Sequence, residues 1–180
     1  AAQCSLAVAR LGLHHASHCQ TALRGTYLMS VSFEGKWEMD LRASDKLGPI
    51  LRDLGIPRVL ASVLTRLAVT QEITQDDSTV IITCVTPLSS DIIELKMDGS
   101  TSQLKGLAGG STAAVSQWVE DALVTRQGLT ADQSAAELET DAFITSRFLE
   151  GGALVEECSI VRDGHPVPGA KARRILRRAL

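Results

Sequence analysis

Aromatic side chains are scarce. The chain has two Trp, one Tyr and three Phe among 180 residues, too few for the stacking platforms on which single-stranded nucleic acid is held. Excess positive charge is missing as well. The net charge is −3, which argues against a nucleic-acid binder by overall charge. No stretch approaches the roughly 18 consecutive apolar residues of a membrane-spanning helix. The cysteines, Cys4, Cys19, Cys84 and Cys158, show no C-x-x-C spacing. In a chain of this length they read as buried or idle thiols rather than a disulfide framework, which suggests a reducing intracellular compartment, cytoplasmic or organellar. No glycine-rich phosphate loop, G-x-S-x-G elbow or H-E-x-x-H pair occurs. Asp163 and His165 have no nucleophile beside them, so the chain reads as non-enzymatic.

Acidic residues are absent from positions 1–32; the first is Glu34. Acid-poor composition of this kind is typical of organelle transit sequences, plastid or mitochondrial. The alternative is an N-terminal helical extension over about Cys4 to Leu23, packing Leu6, Leu11 and Leu13. On such a helix His14 with His18, and His15 with Cys19, are i, i+4 pairs that could ligate a metal. No second pair with ligand spacing exists elsewhere, and His165 stands alone. We therefore expect no metal and no other cofactor.

The informative stretch is 33–67, FEGKWEMDLRASDKLGPILRDLGIPRVLASVLTRL. Phe33, Gly35, Trp37, Met39 and Leu41 alternate with charged residues, the period-two pattern of a strand with one dry face. Ser44 and Asp45 offer an N-cap to a helix over 46–55 with Leu47, Ile50, Leu51 and Leu54 on one side. Gly55 ends it. Pro57 suits the first position of a second helix, 57–67, with Val59, Leu60, Val63, Leu64 and Leu67 on one side.

Hairpins follow. Val69, Gln71 and Ile73 alternate with polar residues, and Val80 to Val85 is β-branched and nearly continuous, the pattern of a strand with little exposure. Asp98-Gly99 is a hairpin turn signal. Strands are expected at 100–107, 114–119, 123–127, 143–149 and 154–161. Residues 128–140 break the rhythm as a long loop or a helical insertion. The loop 162–169, RDGHPVPG, cannot be a central strand. The last segment, KARRILRRAL, has the periodicity of an amphipathic helix, yet a barrel of hairpins needs a closing strand to remove its edges. We take it as a strand.

FEGKW, then LRDLGIPRVLASVL, then serial hairpins resembles the intracellular lipid-binding proteins, the fatty-acid and retinoid carriers, from about Phe33 to the C-terminus. The resemblance implies a mainly β fold: an up-and-down antiparallel β-barrel (calycin) of about ten strands with a two-helix lid. Residues 33–180 would form it, preceded by the extension 1–32. It also implies a cavity for a long-chain apolar ligand, fatty acid or retinoid/carotenoid-like, probed by two arginines and a tyrosine that grip its carboxylate. SRFLEGGALV lies over the family's R-x-L-x-x-G-x-L pattern and puts Arg147 at the first arginine. In the last strand Arg174 falls at the second, with Arg173 one register step away. Leu176 stands where the family has tyrosine, a departure that weakens the carboxylate clamp and leaves open a neutral or differently held ligand, or no ligand at all. Trp37 matches the family's N-terminal tryptophan, and Trp118 sits at a strand end; both read as packing residues.

Two functions fit: a carrier of an apolar small molecule, expected to be a carboxylate, or a non-catalytic subunit of a larger complex that uses the barrel as scaffold. The missing tyrosine, the acid-free residues 1–32 and the C-terminal Lys171, Arg173, Arg174, Arg177 and Arg178 favour the second; the lid and barrel favour the first. A basic end beside a neutral body suggests contact with an anionic membrane surface or an acidic protein patch.

Overall fold

The computed structural model describes residues 31–106 and 110–179. The N-terminal helix expected over about 4–23, with its histidine and cysteine pairs, lies outside them. β1 (Gly35–Met39) leads into two helices, α1 (Gly48–Asp53) and α2 (Arg58–Leu64). Nine strands follow: β2 (Thr70–Gln75), β3 (Thr79–Val85), β4 (Ser90–Lys96), β5 (Ser102–Lys105), β6 (Ser111–Val119), β7 (Ala122–Gln127), β8 (Ala142–Glu150), β9 (Ala153–Arg162) and β10 (His165–Arg178). All ten strands belong to one antiparallel up-and-down sheet, the mainly β architecture expected.

β1 pairs with β10, Trp37 facing Arg178 and Met39 facing Leu176, which joins the two ends of the meander. The final segment is therefore a strand. It does not abolish every edge, because the strand order runs β4-β3-β2-β1-β10-β9-β8-β7-β6-β5 and leaves β4 and β5 unpaired with each other. Asp98-Gly99 turns the chain, with Gly99 at φ +80°, but the strands it joins separate instead of forming the expected hairpin. A surface ion pair spans the gap, Lys105 Nζ on β5 lying 2.7 Å from Asp91 Oδ1 on β4.

The elements differ locally from expectation for identifiable reasons. β10 already begins at His165, inside the proline-containing loop. Pro166 pairs with Val161, and the register then shifts before Lys171. Proline is tolerated at such an irregularity, where its missing N–H breaks no regular ladder. Within 128–140 the insertion is a short 3-10 helix, Ala135–Glu139, started by a reciprocal capping box between Ser134 and Glu137. Ser44 and Asp45 do not cap α1, whose N-cap is Leu47. They staple the lid connection to β10 instead: Ser44 Oγ accepts from the Ile175 N–H at 2.9 Å, and Asp45 Oδ2 from the Arg173 N–H at 2.9 Å.

Both helices are shorter than expected, and their apolar sides part company. Ile50 of α1 packs with Cys158, Ile160, Ala170 and Ala172 of β9 and β10. Leu51, Ile56 and Ala61 tie α1 to α2. Much of the expected apolar side of α2 faces outward: Val59 is 81 % exposed, and Leu60 and Val63 are exposed too, while Leu64 packs against Leu51, Ile56 and Ala61. β3 also departs from the expectation of little exposure. Val80 and Ile82 are buried, but Ile81 and Val85 lie on the open outer face.

One half of the barrel is filled. Phe33, Trp37, Ile73, Val80, Ile82, Leu95, Leu104, Ala114, Leu123, Leu154 and Leu176 form a continuous core. Trp37 is pinned there, its Nε1 donating to the Phe33 carbonyl at 2.8 Å. Gly35 has φ +122°, and a Cβ on it would lie 3.3 Å from Arg178 Nη1. The Arg178 guanidinium stacks on Trp37, 4.9 Å from the ring centroid. The glycine of G-x-W thus lets the terminal strand lay its arginine over the tryptophan.

Candidate ligand-binding site

Between that packed half and the lid lies a cavity of about 240 Å³. Leu47, Ile50 and Leu51 of the lid close it above; Ile93, Leu95, Leu104 and Phe143 give apolar wall. A second cavity of about 380 Å³ lies at the mouth, sharing Leu47, Leu51, Val69, Thr86 and Arg174 with the first.

The polar floor is built by cross-strand register. Arg147 on β8 faces Glu156 on β9, and Glu156 faces Arg174 on β10. The three side chains therefore form a row on one face of adjacent strands. Arg147 Nε donates to Glu156 Oε1 at 2.9 Å. Gln71 Nε2, reaching in from β2, donates to the same oxygen at 3.0 Å. Arg174 Nη1 lies 3.0 Å from Oε2, an ion pair without hydrogen-bond alignment. Glu156 is 1 % exposed, Gln71 2 % and Arg147 7 %. Burial alone would push the Glu156 carboxyl up. The charges of Arg174 and Arg147, with hydrogen bonds from Gln71 and Arg147, overcome it and hold the group down at about 2. Glu156 is therefore ionised at neutral pH.

Beside this row Thr125 faces Thr145, and Thr145 faces Cys158; the Thr125 hydroxyl is 3.0 Å from that of Ser116. Cys84 and Cys158 also line the cavity. Burial, followed by the nearby Glu156 charge, pushes both thiols up to about 11, which leaves them protonated and weakly nucleophilic.

The structure brings Arg147 and Arg174 to one site and turns Arg173 away. Arg173 is bonded to Glu150 on the outside. Leu176, two residues beyond Arg174 on the same strand face, lies one step deeper in the packed core and does not line the cavity. The rest of the basic terminus is also engaged within the barrel. Lys171 lies 3.4 Å from Glu157 and Arg177 2.9 Å from Asp40, while Arg178 covers Trp37. What reads in one dimension as a free basic tail is largely neutralised by acids brought alongside.

Glu156 and Gln71 went unrecognised in the sequence. The signal is alternation: Glu156 shares its strand face with Leu154, Cys158 and Ile160, and Gln71 with Ile73. A charge at an inward position of a period-two strand demands a partner.

No protein-family model matches the sequence, and no curated protein matches it. Solved structures do. The chain superposes on lipid binding protein 8 of Caenorhabditis elegans with a TM-score of 0.66 at 14 % identity, covering 82 % of this chain and 95 % of that one. Fatty-acid-binding protein 1 of Echinococcus granulosus gives 0.64 at 13 %, covering 82 % and 98 %. This is the fold of the intracellular lipid-binding proteins. The fluorescent protein UnaG is as similar, with a TM-score of 0.66 at 20 % identity over 82 % of this chain and 97 % of its own. At such identities the likeness within the lipid-binding fold establishes architecture, and the ligand must be argued from the cavity.

Proposed function

We propose that the chain is a non-enzymatic carrier that holds a long apolar molecule, fatty-acid-like or retinoid/carotenoid-like in its hydrocarbon part, inside the barrel. The observation that carries this reading is the inner cavity, where apolar side chains of the lid and wall meet the fixed Arg147–Glu156–Arg174 row, with Thr86, Lys105, Thr125, Gln127 and Thr145 as further polar wall. That combination fits a small-molecule site: apolar lining for affinity, a few placed polar groups for orientation. Several proteins of the same fold are described as fatty-acid or lipid binders, which supports the reading. The inner cavity is smaller than the roughly 300–1,000 Å³ of typical ligand pockets. An elongated ligand would run from the floor past Leu47 and Leu51 into the mouth.

The test is displacement of a neutral solvatochromic dye, Nile red, from the full chain by long-chain apolar molecules. Saturable uptake of the dye, with stoichiometric displacement, is the expected result. Absence of saturable uptake contradicts the carrier reading.

The scaffold alternative has its own support outside the barrel. On β3 and β4, Ile81, Val85 and Ile92 share the outer face, with Ile92 73 % exposed. Contiguous exposed apolar surface of this kind marks contact sites. A subunit would hide Ile92 in its complex, and Ile92→Lys would then abolish assembly while leaving dye uptake intact.

A further inference from the structure

A carboxylate already occupies the point where the two arginines converge. Glu156 engages Arg147 through one oxygen and Arg174 through the other. The bare pair would offer an incoming acid two positive charges; with Glu156 ionised between them the row retains one. An acid would also bring a second negative charge beside a buried carboxylate, where water screens poorly.

The atoms around Glu156 that make no hydrogen bond describe the head group that fits. Gln71 must turn its NH₂ toward Glu156, because an ionised carboxylate accepts only. Its Oε1, together with Glu156 Oε2 and Arg174 Nε, is buried and makes no hydrogen bond among the described residues. Gln71 Oε1 needs a donor and Arg174 Nε an acceptor, and Glu156 Oε2, ion-paired with Arg174 Nη1, can still take a hydrogen bond. A carboxylate supplies acceptors alone; a hydroxyl supplies both.

We propose that Glu156 is a built-in counter-ion, and that the cavity selects an uncharged apolar molecule with a hydroxyl head over the corresponding carboxylic acid. This rests on the carrier reading and narrows its ligand class; it replaces the carboxylate expected from the family resemblance. The hydroxyl donates to Gln71 Oε1 or Glu156 Oε2 and accepts from Arg174 Nε.

The test titrates the Nile red complex of the full chain with hexadecan-1-ol, hexadecanoic acid and methyl hexadecanoate near neutral pH. The alcohol should bind about tenfold more tightly than the acid, the worth of one buried polar mismatch. Glu156→Gln should shift the acid-to-alcohol ratio by about tenfold or more toward the acid, because both guanidiniums are then free. Should that variant not fold, Gln71→Met serves: it should weaken the alcohol and spare the ester. A wild-type preference for the acid, or equal binding of all three, overturns the inference, as does an unchanged ratio in a folded Glu156→Gln. Failure of every ligand to displace dye, or of the dye to bind, removes the carrier reading itself and the inference with it.

Discussion

Arg147 and Glu156 face each other across the β8–β9 ladder, with the guanidinium Nε 2.9 Å from the carboxylate. The pair is buried, and Arg174 closes on the same carboxylate from β10. Removing the shared anion leaves two cations poorly solvated. Glu156→Leu should therefore destabilise the fold by about 3–5 kcal/mol, while replacing all three charged residues by apolar ones of similar volume should be neutral or stabilising by up to about 4 kcal/mol. Urea unfolding midpoints decide between these outcomes.

The same carboxylate predicts an acid-sensitive component of stability. Its folded value of about 2 lies below the ordinary 4.5. Between those values the unfolded chain binds more protons, so stability rises with pH. The contribution is fully present above pH 4.5 and is lost as pH falls through about 2. Wild type should lose stability more steeply than Glu156→Gln across that window, measured by denaturant unfolding at a series of pH values. Parallel curves would mean the carboxylate is not held down.

Much of the architecture was legible. Alternation in β1 and the glycine and proline around the lid located the strand–helix–helix opening, because period and backbone stereochemistry are local properties. The helical periodicity of the last segment competes with the strand reading that holds, since its inward positions Ala172, Arg174 and Leu176 suit a strand as well. Pairing with β9 and β1 decides the matter, and pairing is not local. Arg147 and Arg174 were legible only through resemblance. Their convergence on Glu156 depends on a register that neither segment encodes alone. α2 did mislead: its apolar stripe is real, but only Ala61 is buried.

Gly35 has the positive φ that lets Arg178 cover Trp37. Gly35→Ala should cost about 1–3 kcal/mol through backbone strain and displacement of the arginine. Arg178→Gln should cost less, about 0.5–1 kcal/mol, the worth of an exposed cation–π contact. Thermal unfolding of the two variants should preserve that order.

Cys84 sits half-buried in the cavity wall with its thiol held near 11. Alkylation at mildly alkaline pH, followed by peptide mass spectrometry, should find it slower than in the unfolded chain. A bound apolar ligand should slow it further. Acceleration on ligand addition would place the ligand elsewhere.

The most direct measurement of the central claim is a crystal structure of the full chain grown with hexadecan-1-ol, beside one grown with hexadecanoic acid. The account predicts the alcohol in the inner cavity, its hydroxyl at Gln71 and Arg174, with Glu156 still held between the two arginines. Hexadecanoic acid seated on Arg147 and Arg174, with Glu156 swung out of the row, would contradict it.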